Sequence, residues 1–335
     1  MSSKLWKNLK NKYVIVFIKK GDSKYKRKEG RRNVAGKRTD LALEVRESFP
    51  MNHVEVQGVV LEKSYDKEGQ AKITLVKIMD EMGSKAMRKP MGTYVTIESE
   101  LMLQEESNRE PLLLCICEQL EKMITNMRQK SVLIVGLGNR DVTSDSLGPK
   151  MTENLFITRH LKQEMGLHYM EKNQFGCVSA IAPGVMAQTG METSEILESV
   201  VKKTKPDLVI AVDALAARSV KRLCTTIQIT DTGIAPGAGV GNRRKELNQK
   251  TLGVPVVAIG VPTVVDAETI IGDHLEHVLT KQGYSDTEIE QFIREILTKD
   301  TENVMVTPKN IDASIHRLSK DLADVLNHCF QKRDK

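Results

Sequence analysis

The segment that decides the fold is SVLIVGLGN, residues 131–139, an apolar run that ends in glycines. A short, continuous run of apolar residues closed by a turn is typical of a parallel strand buried on both faces. The following residues 147–163, LGPKMTENLFITRHLKQ, have the pattern of one helix with Pro149 in its first turn. This strand and helix predict the start of an α/β sheet.

The same alternation continues towards the C-terminus. Four more apolar runs predict strands at residues 176–184, 207–216, 223–230 and 253–263. Helical patterns lie between or after them, at residues 191–205, about 267–281, 286–298 and 310–330. This order predicts a doubly wound, mostly parallel central sheet flanked by helices.

The region before this core has a different pattern. Three β-rich runs, HVEVQGVVLE, KITLVKI and GTYVTIE, fall between residues 50 and 100 and predict a β-rich elaboration of the sheet. Residues 99–127 then have the pattern of helices broken at Pro111. We therefore predict a single α/β domain over residues 41–335, with the β-rich insertion at about 50–100.

The positive charge of the chain is concentrated at its N-terminus. Residues 1–40 hold 14 Lys and Arg against 3 Asp and Glu, a net charge of +11, whereas all 335 residues carry +6. Residues 41–335 therefore carry −5. A basic segment can bind nucleic acid or a membrane surface, so a nucleic-acid-binding protein is one alternative. The acidic remainder has no such signature, and we expect no direct nucleic-acid role.

Two further features bear on the cellular compartment. No apolar run approaches the roughly 18 residues that a membrane span needs, and the apolar stretch Tyr13–Ile18 is far shorter. The five cysteines are odd in number, scattered and without a CxxC pair, which favours a reducing cytoplasm with buried thiols. We expect a cytoplasmic protein that does not enter a membrane.

Two aspartates follow neighbouring strands of the predicted sheet. Asp145 lies in the loop that leaves the first central strand, and Asp213 is predicted to end the strand LVIAVD. Ligands of open α/β sheets bind beyond the carboxyl ends of the strands. Two carboxylates there suit hydrolysis, because one can hold a proton while the other activates water. They could instead hold a divalent metal, or each could form a helix cap or loop hydrogen bond.

Other chemistries have weaker support in the sequence. None of the seven histidines lies at a predicted strand end, so a zinc site is not indicated. GLGNRD resembles the start of a dinucleotide fingerprint, but Asp141 stands where its third glycine would be. The Gly-rich residues 235–245 could cradle an anion, but no GK[ST] follows them. No GxSxG elbow is present.

Seven longer motifs carry a specific resemblance. The sequence resembles the germination proteases of spore-forming bacteria from about residue 37 to the C-terminus. The motifs are RTDLALE, VGLGNRDVTSDSLGPK, TRHL, APGVMAQTGMET, PDLVIAVDALAAR, IQITDTGIAPGAGVGNRRKELN and GVPVVAIGVPTVVDAET.

The resemblance implies an endopeptidase that degrades small acid-soluble spore proteins during germination, in the forespore and spore core. It implies a zymogen that cuts itself, a homotetramer, and a core similar to hydrogenase maturation endopeptidases. The family's two proposed catalytic aspartates fall on Asp145 and Asp213. Because no histidine matches the metal ligand of the hydrogenase relatives, we expect aspartic-type hydrolysis without a cofactor. A metal-dependent maturation-type endopeptidase is the alternative.

The resemblance also implies a cleavage site. Family substrates carry an acidic–apolar–Ala–x–Glu pattern, which residues 40–44, DLALE, match. We therefore predict self-cleavage between Asp40 and Leu41, which would remove residues 1–40 as a basic pro-segment. Alternatively, residues 39–45 begin an amphipathic helix capped by Thr39 or Asp40.

Overall fold

The computed structural model describes residues 39–49, 56–104, 109–237, 244–296 and 304–331. Nearly all of the predicted pro-segment 1–40 therefore lies outside the described residues, as does most of the Gly-rich segment 235–245. The described part of the chain forms one mixed sheet with helices on both faces.

Nine strands form the sheet in the described part of the chain. Their order is β1-β2-β3-β7-β8-β6-β4-β5, and β9 pairs with β8 off this path. The strands are β1 Val59–Tyr65, β2 Lys72–Ile78, β3 Gly92–Glu98, β4 Ser131–Gly136, β5 Cys177–Ile181, β6 Leu208–Ala217, β7 Thr226–Thr230, β8 Val256–Asp266 and β9 Met305–Val306.

The directions of the strands confirm the predicted α/β fold class and add detail to it. β5, β4, β6 and β8 run parallel, as the alternating pattern predicted. β7 is antiparallel to both β8 and β3, and it joins the antiparallel strands β1–β3 to the same sheet. The β-rich elaboration is thus a lateral extension of the central sheet.

The helices of the described residues are more numerous than the strands, and several are short. They are α1 Ala42–Glu47, α2 Glu81–Met87, α3 Glu110–Met123, α4 Leu147–Thr152, α5 Arg159–Lys172, α6 Met186–Thr189, α7 Thr193–Thr204, α8 Gln249–Leu252, α9 Ala267–Lys281, α10 Asp286–Ile296 and α11 Ile311–Phe330.

The continuous apolar run of β4 is explained by burial on two faces. Val132 and Ile134 pack into the core that contains α3, α4 and α11. Leu133 and Val135 pack into a second core with α7 and α8. Because successive side chains of a strand point to opposite faces, a strand covered on both sides needs apolar residues throughout.

Two helix predictions were wrong in detail. Residues 147–163 form two helices, because backbone N–H groups between α4 and α5 donate to residues outside the helix. Phe156 N donates to Asn327 Oδ1 at 2.8 Å, and Thr158 N donates to Val178 O at 3.0 Å.

Pro111 does not break a helix but lies in the first turn of α3. The backbone N–H that proline lacks would have no partner within the helix at this position.

The cysteines also depart in part from the expectation of buried thiols. Cys115 and Cys224 are buried thiols, but Cys117 of α3 and Cys329 of α11 are paired as a disulfide. No helix in the described residues is long and apolar enough to cross a membrane.

Candidate active site

The loop that follows β4 is shaped by glycine. Leu137 N still donates to Val212 O of β6 at 2.8 Å, and the chain then turns at Gly138, whose φ is +111°. A Cβ atom on Gly138 would lie 2.0 Å from the carbonyl oxygen of Asp145. The glycine that resembled part of a dinucleotide fingerprint therefore permits close contact between this loop and Asp145.

Asp145 lies at the end of a single 3₁₀ turn, Thr143–Asp145, just before α4. Its Oδ2 accepts a 2.7 Å hydrogen bond from Asn139 N, which fixes the carboxyl group against the glycine loop. Burial raises the pKa of Asp145 above its ordinary value, and the bond from Asn139 opposes that rise.

Asp213 lies within β6, whereas the sequence predicted that it would end the strand. β6 continues to Ala217 because β8 still pairs with it, Asp213 opposite Gly260. β4, on the other side of β6, pairs only as far as Val212, so Asp213 is the first residue beyond that edge. The site therefore lies beyond the end of β4, where the sheet narrows.

Asp213 is an acidic side chain that is only 5% exposed. Burial raises its pKa well above the ordinary value, and the negative charges of Asp145 and Asp40 raise it further. Ala214 N donates to its Oδ1 at 2.9 Å, which opposes the rise. Asp145 and Asp213 are thus electrostatically coupled, as their positions in the sequence suggested, and a third carboxyl group, that of Asp40, joins them.

That third group belongs to the segment that precedes α1. Asp40 N donates to Ala216 O at 2.9 Å, and Ala216 N donates to Asp40 Oδ2 at 2.9 Å. Both backbone groups of Ala216 in β6 are therefore used to hold Asp40. Its side chain and its main chain are fixed together beside Asp213.

The carbonyl oxygen of Asp40 accepts two further hydrogen bonds. Lys89 Nζ donates at 2.7 Å and Gln228 Nε2 donates at 3.2 Å. The Oε1 atom of Gln228 accepts from Ala42 N at 2.7 Å, so one amide side chain spans the Asp40–Leu41 bond. An ammonium and an amide donor thus face the carbonyl group of this peptide bond.

The helix predicted near residues 39–45 is present as α1, although its cap differs from the prediction. The helix follows Leu41, whose φ of −80° and ψ of 123° are extended, and no side chain caps it. The hydroxyl of Thr39 instead accepts from Leu41 N at 3.0 Å and donates to Glu44. The Asp40–Leu41 bond therefore lies outside the helix.

One cavity of about 860 Å³ gathers these groups. Asp40, Lys89, Asp145, Asp213 and Gln228 all line it. Its far wall comes from the residues around α6 and from those at the described borders of the Gly-rich segment 235–245. The cavity therefore brings the two aspartates and the two donors of the Asp40 carbonyl group together.

The candidate metal ligands of the site are the carboxyl groups of Asp145 and Asp213, which both line the cavity. In the described ranges, no group of three or more His, Cys, Asp or Glu side chains is arranged to hold a metal ion. Two oxygens of the site aspartates, Oδ2 of Asp145 and Oδ1 of Asp213, already accept backbone hydrogen bonds.

The sequence predicted that Asp145 and Asp213 lie close together, but it did not indicate that Lys89 or Gln228 belongs to the site. In the sequence, Gln228 is only a polar residue within the apolar run 223–230. The structure shows that this part of the run is the buried strand β7. Lys89 follows α2 in the β-rich extension, and no local signal connects it to the site.

The fold and the site define an α/β protein of the peptidase class, in which coupled carboxyl groups lie beside a bound segment of the chain itself, around Asp40. A sequence profile described as "Germination protease" matches residues 37–288. Germination proteases of Caldanaerobacter subterraneus subsp. tengcongensis and Clostridium perfringens strain 13 are 43% and 42% identical, covering 89% and 88% of this chain and 95% of each relative. The germination protease of Bacillus velezensis is 40% identical over 88% of this chain and 94% of its own length. The chain belongs to the germination protease family, the peptidases of spore germination.

A solved structure is also similar. The nickel–iron hydrogenase maturation protease HycI from Thermococcus kodakarensis KOD1 aligns with a TM-score of 0.32 and 16% identity, over 63% of this chain and 98% of its own. The geometry of the site does not depend on this likeness.

Proposed function

We propose that this chain is an aspartic-type endopeptidase, made as a zymogen, that first cuts its own Asp40–Leu41 bond and then degrades small acid-soluble spore proteins. The observation that carries the proposal is the position of that bond. Its carbonyl oxygen accepts hydrogen bonds from Lys89 and Gln228, beside the coupled carboxyl groups of Asp145 and Asp213.

The two aspartates take different roles in this proposal. Asp145, whose pKa is raised less far than that of Asp213, ionises first and removes a proton from the attacking water. Asp213, whose pKa is raised by the charge of Asp145, keeps its proton and gives it to the nitrogen of Leu41 as the C–N bond breaks. The products are the carboxylate of Asp40 and the amine of Leu41.

Lys89 and Gln228 act on the carbonyl oxygen of Asp40. Attack by water turns that oxygen into an oxyanion, and donors already aimed at it need no rearrangement to stabilise the charge. The ammonium of Lys89 at 2.7 Å contributes most, because a hydrogen bond from an ionised donor is about twice as strong as a neutral one.

Small acid-soluble spore proteins are proposed as substrates because their cleavage pattern, as the family resemblance implies, matches residues 40–44. The site would then bind those proteins in the manner in which it holds its own segment. On the same resemblance we propose a homotetramer in the spore core that needs no cofactor.

The test is incubation of the full chain at mildly acidic pH, followed by N-terminal sequencing and mass spectrometry. We expect a large product that begins at Leu41 and then cleaves a purified small acid-soluble spore protein. Asp213→Asn should leave the chain folded and uncut. Asp207→Asn is a matched control, since Asp207 lies just before β6 and bonds Ser131 N outside the site. Full processing of the Asp213 variant would refute the proposal.

The metal-dependent alternative has its own test. Thorough chelation, with metal content checked by mass spectrometry, should leave the rate of self-cleavage unchanged. Loss of activity that returns on addition of one divalent metal would support the maturation-type mechanism instead.

A further inference from the structure

Lys89, which donates to the carbonyl oxygen of Asp40, lies in the short loop between α2 and β3. A lysine side chain is long and has many rotamers, so its ammonium reaches one fixed point only if the backbone that carries it is fixed. Arg88, just before Lys89, has a φ of +51°, a left-handed conformation that ends α2. The position of Lys89 Nζ therefore depends on what holds this loop.

The first half of the loop is held by α2. Lys89 N donates to Ser84 O at 3.3 Å, and the Ser84 hydroxyl donates to Lys89 O at 2.7 Å. At the start of α2, Gly83 N donates to Asp80 Oδ1 at 2.8 Å, which caps the helix. Both main-chain groups of Lys89 are thus bonded to one residue of a capped helix.

The second half of the loop is held by a tyrosine of β3. Tyr94 Oη donates to Pro90 O at 2.8 Å, and Pro90 directly follows Lys89. Proline has no N–H, so its carbonyl oxygen is the main-chain group through which Pro90 can be held. The bond from Tyr94 ties the residue after Lys89 back onto β3.

The side chain of Tyr94 is itself fixed in the core. It is 2% exposed, and it belongs to one core cluster with Met87 of α2 and Ala42 of α1. Met87 lies two residues before Lys89, and Ala42 lies two residues after Asp40. One rigid aromatic ring therefore shares a core with the helix that precedes Lys89 and with the segment that follows the bond to be cut.

The Tyr94 hydroxyl keeps its proton at neutral and acidic pH. Burial raises the pKa of Tyr94 to about 12, although a hydrogen bond with Thr232 lowers it. The negative charges of Asp231 and Glu246 raise it further. The hydroxyl is therefore a constant donor to Pro90 O.

We propose that Tyr94 is a positioning residue for the cleavage reaction, because its hydroxyl, through Pro90, holds the loop in the arrangement that places Lys89 Nζ on the carbonyl oxygen of the bond to be cut. Tyr94 acts on the loop, and Lys89 acts on the carbonyl oxygen. This rests on the proposed function, since the position of Lys89 affects a rate only if that bond is cleaved.

Tyr94→Phe removes the hydroxyl and keeps the ring that fills the core. We expect self-cleavage of the full chain to slow about three- to tenfold, the range that corresponds to the net contribution of one neutral hydrogen bond. Tyr65→Phe is the matched control, because Tyr65 is an exposed tyrosine at the end of β1 in the same β-rich extension. It should be processed at the wild-type rate.

A double-mutant cycle tests whether Tyr94 acts through Lys89. In the Lys89→Met background, Tyr94→Phe should cause no further slowing, since the group that it positions is gone. A merely structural loss would slow both backgrounds by the same factor. Equal slowing in the two backgrounds overturns the proposal.

A labelling measurement distinguishes this proposal from the proposed function. Chains carrying Asp213→Asn, which should stay uncut, are treated briefly with acetic anhydride, and the acetylation rate of Lys89 is divided by that of Lys85 in the same molecule. Adding Tyr94→Phe should raise this ratio at least about threefold, because an amine released from the Asp40 carbonyl oxygen reacts faster. Unfolding would instead change the rates of both lysines.

The two measurements together decide between the proposals. A raised ratio without any self-cleavage of the wild type overturns the proposed function and leaves the positioning of Lys89 by Tyr94 standing. An unchanged ratio overturns the positioning role, whether or not the chain is cut.

Discussion

The negative charge of Asp145 raises the pKa of Asp213, which burial has already moved well above the ordinary carboxyl value. The folded chain therefore holds a proton on Asp213 at pH values where the unfolded chain has lost it. Stability falls as pH rises through this interval, because the native state binds the additional proton.

Asp213→Asn should remove this pH dependence, since an amide resembles the protonated carboxyl and does not titrate. The free energy of unfolding of the variant should equal that of the wild type near pH 3. It should exceed the wild-type value increasingly as pH rises above about 4, up to the raised pKa. Urea denaturation at several pH values measures the difference.

Parallel stability curves for the two proteins would show that Asp213 titrates normally. Asp207→Asn, outside the site, controls for loss of a carboxylate and should not give a difference that grows in this way.

Lys89 holds the carbonyl oxygen of Asp40, and its removal should slow self-cleavage without unfolding the chain. We expect Lys89→Met to lower the rate about 100- to 1000-fold, the range found when one oxyanion donor is lost. The rate is measured by quantifying the uncut chain on gels over time.

Lys85→Met is the matched control, because Lys85 is an exposed lysine in α2, the short helix that precedes Lys89. It should process at the wild-type rate. Equal rates for both variants would exclude Lys89 from the stabilisation of the oxyanion.

The parallel core could be predicted from the sequence because its strands are buried on both faces. Such strands are continuous apolar runs, and β4, β6 and β8 each produced one. The antiparallel direction of β7 could not be predicted, because a five-residue buried strand carries the same pattern in either direction. The break between α4 and α5 depends on bonds to distant residues such as Asn327.

Only the residues of the candidate site that lie near the edge where β4 ends could be predicted from the sequence. Asp145 lies in the loop after β4, and Asp213 lies in β6 one residue beyond the last that pairs with β4, so general topology brings them together. Lys89 and Arg222 reach the segment 39–44 from the antiparallel extension and from the turn before β7. Their contribution depends on how β3 and β7 pair, which local sequence does not encode.

Gly138 should be irreplaceable for activity. An alanine there would place its Cβ 2.0 Å from the Asp145 carbonyl oxygen and would hold a φ of +111°. We expect Gly138→Ala to lose about 1–3 kcal/mol of unfolding free energy from backbone strain alone and to lose self-cleavage, because Asp145 must move. Thermal denaturation and the processing assay measure the two effects.

Gly253→Ala separates strain from displacement. Gly253 has a φ of +76°, but no atom lies within 4 Å of the position that a Cβ would take, so the alanine is strained yet unobstructed. This variant should lose some stability and keep self-cleavage. Normal processing by Gly138→Ala would mean that the close approach of the loop does not position Asp145.

Cleavage at Asp40–Leu41 should change the charge and the fluorescence of the chain together. The cut removes residues 1–40 with their net charge of +11, so a chain of +6 becomes a product of −5. It also removes Trp6, the single tryptophan. We expect the large product to bind an anion exchanger at neutral pH and to lack tryptophan emission, with Leu41 as its first residue.

Because the carbonyl of Asp40 is held by Lys89, Lys89→Met should keep both the positive charge and the emission over the same incubation. A large product that retains Trp6 would place the cut elsewhere and refute the assignment of this bond.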